Sequence, residues 1–241
     1  MRFRAFVVPV IIGFGGSILM PSEPDPAFLR QAAEAIHAWS KNIPLGVVVG
    51  GGSPARRAIN TARQAQVGEE ELDRIGIAAT RLNAQLLAST LYEYGADVAR
   101  TIPTTVQEAI QSMQSHQIVV MGGTTPGHST DFVAAEWAAA VQCPVVIATS
   151  VDGVYTIDPL VDPNAQRKAT LNFGELLQIV EEKEWTTAGA PGVIDGPATV
   201  LLATHGVETR VVHGRQLAEV GKAVRGEEFH GTLIGGDKVV L

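Results

Sequence analysis

Hydrophobic residues in this chain form short unbroken runs, separated by longer stretches where they recur every three or four positions. The runs are "VVPVIIGF", "PLGVVVGGG", "QIVVMGGTT", "CPVVIATSVDG" and "VETRVVHG", each carried into or followed by glycine or a polar turn. Such runs mark strands buried on both faces. The spaced stretches predict helices over 28–39, 75–94, 132–140, 173–180 and 216–224. "PSEPDP" at 21–26 is a turn into the first of them, with Asp25 as cap and Pro26 in the first helical position. "HGTLIGGDKVVL" at the C-terminus reads as a closing hairpin. Strand and helix alternate, which predicts an α/β fold with a mostly parallel sheet. No low-complexity linker divides the chain and no internal repeat is visible, so a single domain is expected.

Composition agrees with a large aliphatic core. Of 241 residues, 46% are hydrophobic and only 5% aromatic, as in parallel sheets covered by helices. The net charge of -7 argues against nonspecific nucleic-acid binding, which needs a basic footprint. A local basic pocket for a small anion remains compatible with it. Cys143 is the only cysteine, so no internal disulfide or cysteine metal cluster is possible and a reducing cytoplasm is expected. Arg2, Arg4 and "AFVVPVIIGF" share the charge-then-apolar order of a secretory leader. No small-x-small cleavage site follows cleanly, and the same residues make a good first strand. No apolar run is long enough to span a bilayer.

Three glycine clusters follow three predicted strands: Gly15-Gly16-Ser17, Gly50-Gly51-Gly52 and Gly122-Gly123-Thr124. Parallel strands point their C-termini the same way, so the clusters should share the sheet edge where ligands of open α/β sheets bind. Together they favour a phosphate-rich ligand held by backbone N–H groups. The second cluster continues "SPARRAI", predicting a helix from about Pro54 with Arg56 and Arg57 in its first turn. Cations there oppose the helix dipole unless an anion is near, which makes Arg56 a candidate phosphate ligand and leaves Arg57 to solvent. The third cluster runs on through "TPGHSTD" into a helix capped near Thr130 or Asp131. Asp131 is read as a cap residue that could also orient donors around a phosphoryl group. In the stretch "ATSVDGVYTIDP", Asp152-Gly153 is a turn. Tyr155 follows it as a ring able to cover a base, and Asp158 as an acceptor for a ribose or base.

These stretches, in this order, resemble the amino acid kinase family, and within it the archaeal-type uridylate kinases. "VVVGGGSPARRAI" is similar to the family's GGG-x-x-A-R segment, and "RIGIAATRLNAQLL" to the helix lining the acceptor site. "MGGTTPGHSTDFVAA" is similar to its GGT-x-PGH-x-TD motif, "SVDGVYTIDPLVDPNA" to its nucleotide loop and "HGTLI" to its ending. The resemblance implies a three-layer α/β/α sandwich around a mostly parallel sheet. An N-terminal lobe, about 1–140, would take UMP and a C-terminal lobe, about 141–241, would take ATP with Mg²⁺. It implies UMP contacts at Gly51, Asp73, Thr124, Thr125, Pro126, Gly127, His128, Ser129 and Thr130. Gly16, Ser17, Gly52 and Arg56 would surround the transferred phosphates. Thr149, Ser150, Tyr155 and Asp158 would hold the ATP base and ribose, and Asp131 would organise the reaction centre. The implied reaction is phosphoryl transfer from ATP to UMP in pyrimidine nucleotide synthesis, by a cytoplasmic homo-oligomer, commonly a hexamer.

Two departures bear on catalysis. Many relatives carry a lysine just before the first glycine pair, where this chain has Ile12, Gly13 and Phe14. A late family segment, D-P-L-A-A-K, here reads "IDGPATVLLA", with Asp195 kept and Val200 in the lysine's place. Losing a cation on a transferring phosphate predicts a rate lower by about two to three orders of magnitude, unless Arg56, Mg²⁺ or Lys168 compensates. Two other readings stay open on the same fold. One is a nucleotide-binding or molybdate-like oxyanion storage protein, hinted at only by His116, His128, His205, His213 and His230. The other is a kinase for another phosphorylated acceptor.

Overall fold

The computed structural model describes residues 7–155, 164–180, 193–236, 238 and 239. The elements run β1 (Val10–Phe14), α1 (Gly16–Leu19), α2 (Pro26–Ser40), β2 (Leu45–Val49), α3 (Gly52–Gln64), α4 (Glu69–Glu93), α5 (Val106–Met113), β3 (Ile118–Met121) and α6 (Thr130–Val141). They continue β4 (Val145–Thr149), β5 (Val154–Tyr155), β6 (Arg167–Lys168), β7 (Thr170–Leu171), α7 (Phe173–Ile179), α8 (Gly196–His205), β8 (Thr209–His213), α9 (Leu217–Arg225) and β9 (Gly231–Ile234).

The main sheet has the order β3-β2-β1-β4-β8-β9-β7. From β3 to β8 every pairing is parallel. Strands β1 to β3 read as unbroken apolar runs because both faces are covered. One core layer lies under α2, α4 and α9, with Ile12, Phe14, Val47, Leu87 and Val224 buried in it. The other lies under α6, α7 and α8, around Ile11, Val48, Trp137, Ile147 and Leu202. This is the expected α/β/α layering. Among the described residues no helix is long and apolar enough to cross a membrane.

Several details differ from the expectation. Among the described residues the C-terminal stretch forms no hairpin: β9 pairs antiparallel with β8 and parallel with β7, and Lys238 and Val239 lie outside any strand. The run "GTLI" therefore lies inside the main sheet, between β8 and β7, instead of folding on its own arm. Strand β1 starts at Val10, after Pro9, and α4 starts at Glu69 with three glutamates in its first turn, where they favour the helix dipole. Helices α5 and α8 were not expected. Helix α5 is opened by Thr105, whose side chain accepts from Glu108 N–H, while Glu108 reaches back to Thr104 N–H at 2.7 Å. Helix α8 is apolar nearly all round and so shows no amphipathic stripe.

Candidate active site

The strand order places a crevice at the centre of the sheet. The chain moves from β1 outward to β2 and β3, then returns to the other side of β1 as β4. Such a reversal opens the ligand crevice of a doubly wound sheet at the strand C-termini. The turn after β1 sits in it and touches both sides. Gly15 N–H donates to Ala148 O of β4 at 2.9 Å. On the other flank, a Cβ added to Gly16 would lie 2.1 Å from Gly52 N and 2.7 Å from Gly51 N. Only glycine permits that approach. Gly52 also has a left-handed φ of +58°.

The first two glycine turns thus form one unit, as expected. Among the described residues, no protein acceptor takes the N–H groups of Gly16, Ser17, Gly51 and Gly52. Asn83 of α4 holds the carbonyls of Gly50 and Gly51 through Nδ2, each at 2.9 Å. With the carbonyls occupied and the N–H groups open, the unit has the polarity of an anion cradle.

Helix α4 also fixes the third turn. Gly123 N–H donates to Thr80 Oγ1 at 2.7 Å. Arg81 donates to Gly123 O and Thr124 O, both at 3.1 Å. Asp73 accepts from Gly127 N–H at 2.8 Å, which ties the "PGH" loop to the helix. Asp73 and Gly127 are therefore brought together as anticipated, with one Asp73 oxygen engaged by the loop itself. Thr125, Pro126 and His128 are exposed, and Thr125 Oγ1 lies 3.1 Å from His128 Nδ1. Thr80, Arg81 and Asn83 were missed by the sequence reading. For Thr80 and Asn83 the signal was polar type on the buried face of α4.

Helix α6 corrects the reading of Asp131. The cap is Ser129, whose Oγ accepts from Phe132 N–H at 2.9 Å. Thr130 and Asp131 lie inside the first turn. Ser129 reaches the chain's N–H first, so Asp131 is released from capping. Its carboxyl points toward β1, 3.8 Å from an ideal Cβ on Gly13. Burial, and then repulsion from Asp195, push its pKa up to about 7. Asp195 caps α8, accepts from Ala198 N–H at 2.9 Å and takes a hydrogen bond from Ser129 Oγ. Val200 lies half-buried on α8.

Helix α3 begins at Gly52, not near Pro54, because the second glycine turn runs straight into it. Arg56 is then past the first turn. It is exposed and, among the described residues, forms no ion pair. On the other flank, Thr149 ends β4 and Ser150 follows it at the same edge. Tyr155 lies in the two-residue strand β5, its hydroxyl donating to Asp152 at 2.6 Å. Lys168 is exposed in the paired strand β6. Asp158 lies outside the described residues. Among the described residues, no group of three or more His, Cys, Asp and Glu converges to hold a metal.

Known proteins place this geometry in context. The family model described as the amino acid kinase family matches residues 9–213. The uridylate kinase of Methanocorpusculum labreanum is 40% identical over 232 residues, which covers 95% of this chain and 97% of that protein. That of Pyrococcus abyssi is 36% identical over 229 residues, covering 93% and 98%. The crystal structure of uridylate kinase from Archaeoglobus fulgidus has a TM-score of 0.84 at 36% identity, covering 94% of this chain and 100% of that one. UMP kinase from Ureaplasma parvum has a TM-score of 0.77 at 20% identity, covering 98% and 100%, a likeness of fold alone.

Proposed function

The chain belongs to the amino acid kinase family, and we propose that it transfers the γ-phosphoryl group of ATP to the phosphate of UMP, giving ADP and UDP. The observation that carries this reading is the turn after β1. It packs on the acceptor-side glycines Gly50 to Gly52 and hydrogen-bonds the donor-side strand at Ala148. A group held there is within reach of ligands on both flanks. The uridylate kinase relatives supply the identity of the two nucleotides.

In this reading the N-terminal lobe, about 1–140, binds UMP through Gly51, Asp73 and the loop Thr124–Thr130. The C-terminal lobe, about 141–241, binds ATP through Thr149, Ser150, Tyr155 and Asp158. The N–H groups of Gly16, Ser17 and Gly52 receive the phosphates between them, with Arg56 reaching in from α3. Phosphoryl transfer of this kind needs alignment and charge neutralisation, not a covalent intermediate. The acceptor phosphate is already ionised at neutral pH, so no strong base is required.

Asp131 and Asp195 repel one another beside the cradle. A cation would relieve that repulsion, and Mg²⁺ needs only one or two carboxylates when nucleotide phosphates supply its other ligands. The pair therefore fits a Mg²⁺ delivered with ATP, which would neutralise charge on the phosphates. The cytoplasm is the expected compartment, pyrimidine nucleotide synthesis the expected setting, and a homo-oligomer, expected as a hexamer, the working form. The test is ADP release from ATP and Mg²⁺ with UMP, CMP, AMP or isopentenyl phosphate as acceptor. Release that depends on UMP supports the reading. Tight ATP or UMP binding without turnover refutes it in favour of a binding or storage role.

A further inference from the structure

The triplet His230–Gly231–Thr232 opens β9, and all three residues fasten the small sheet β5–β6. His230 Nε2 lies 2.8 Å from Asp152 Oδ2. An ionised carboxylate only accepts, so the ring presents Nε2–H. Gly231 O accepts from the Arg167 guanidinium. Thr232 Oγ1 accepts from Val154 N–H at 2.8 Å and donates to Lys168 O at 2.5 Å. One fully buried hydroxyl thereby ties β5 and β6 to β9. Asp152 gathers the rest: it accepts the Tyr155 hydroxyl and lies 3.8 Å from Arg167 Nε. Burial pushes the Asp152 carboxyl up, but its hydrogen bonds from Tyr155 and His230 outweigh that and leave it below the usual range. Glu219 of α9 holds the triplet in turn, accepting from His230 N–H at 2.7 Å and from Lys222 Nζ at 2.8 Å.

The β5–β6 ladder has only two residue pairs, Val154 with Lys168 and Tyr155 with Arg167. So short a pairing is not stable by itself. Its position is set by what it is fastened to, and among the described residues the triplet supplies a bond to each of its strands. We propose that His230 and Thr232 are positioning residues that hold Tyr155 in place for ATP. The proposal rests on the assignment of Tyr155 to the ATP base made above. It makes ATP affinity, and not UMP affinity, depend on the start of β9.

The experiment compares Thr232→Val and His230→Ala with the conservative variants Thr232→Ser and His230→Gln. Steady-state kinetics give KM for each nucleotide, calorimetry gives ATP affinity without UMP, and hydrogen exchange reads the Val154 amide. Loss of one charge-assisted or buried hydrogen bond predicts about a tenfold rise in KM and Kd for ATP. KM for UMP should change by less than about twofold, since the acceptor contacts are untouched. The Ser and Gln variants should recover most of the affinity, and Val154 should exchange faster in Thr232→Val. Unchanged ATP constants overturn the proposal. So does an equal loss of UMP affinity, which would make the triplet a general folding element. If the wild type binds ATP without using UMP, and the variants still weaken ATP binding, the acceptor assignment fails and the anchor stands. If the wild type uses UMP and the variants bind ATP normally, the anchor alone fails. A wild type that binds no ATP overturns both.

Discussion

Replacing Gly16 by alanine tests the phosphate cradle most directly. The new methyl would lie 2.1 Å from Gly52 N, 2.6 Å from Gly50 C and 2.7 Å from Gly51 N. All three are backbone atoms, so no side chain can swing aside. Ordinary contact starts at 3.4 Å, and the two turns must therefore part by about 1.3 Å. Overpacking of this kind costs about 1–3 kcal/mol of stability. A misplacement of about 1 Å at a reacting centre costs about 10²-fold in rate. We therefore expect Gly16→Ala to lower the urea midpoint and to reduce kcat/KM about a hundredfold or more. Gly76→Ala is the contrast. It lies inside α4, and its nearest obstacle is the tip of Ile59 at 3.3 Å. Replacing a helical glycine should raise stability by about 0.5–1 kcal/mol and leave the kinetics unchanged. Urea titration and coupled ADP assays on both variants decide the matter. Wild-type kcat/KM and stability in Gly16→Ala would refute the close packing of the two turns, and with it the cradle.

Asp131 makes stability depend on pH in the nucleotide- and metal-free protein. Its folded pKa, about 7, exceeds the unfolded 3.8, so the folded state holds a proton between those values that the unfolded state has lost. Stability should fall as pH rises from about 4 to about 7, by at most about 4 kcal/mol. Asp131→Asn should flatten that slope, raise stability at pH 8 and abolish turnover; a slope that persists in urea titrations counts against the buried carboxyl. Asn83→Leu releases the carbonyls of Gly50 and Gly51 and should destabilise the protein by about 1–3 kcal/mol, with weaker phosphate binding by calorimetry; unaltered binding would show that the carbonyls need no tether. Val200→Lys returns a cation to α8 and should raise kcat about a hundredfold. No change in kcat would mean that the charge is already supplied elsewhere.

Most of the fold was legible because parallel strands leave an unmistakable trace. Val10–Phe14, Leu45–Val49 and Ile118–Met121 are buried at every position, so their apolar runs have no polar interruption. What was lost follows the same physics. Helix α8 is apolar on its half-buried face as well as its buried one, at Val200 and Leu201 beside Leu202 and Ala203, and carries no stripe to read. The last strand looked like half of a hairpin because pairing partners far along the chain, such as Thr209 for Ile234, leave no local mark.

The site was legible where the backbone is the functional group and obscure where a side chain positions it. Glycines announce close approaches, and all four motif stretches contain them. Asn83, Thr80 and Arg81 announce nothing singly, since each is an ordinary helix residue. Their meaning lies in the placement of two of them: Thr80 and Asn83 are buried on a face otherwise filled by Leu72, Ala84, Leu87 and Leu91. A buried polar side chain costs stability unless bonded, and here Thr80 and Asn83 each bond a glycine turn. Asp131 follows the opposite logic. It looked like a helix cap, and a cap would have satisfied its charge. Because Ser129 caps instead, Asp131 is buried beside Asp195 with its pKa raised to about 7, and ionising it costs the fold stability that a cation at the crevice would return.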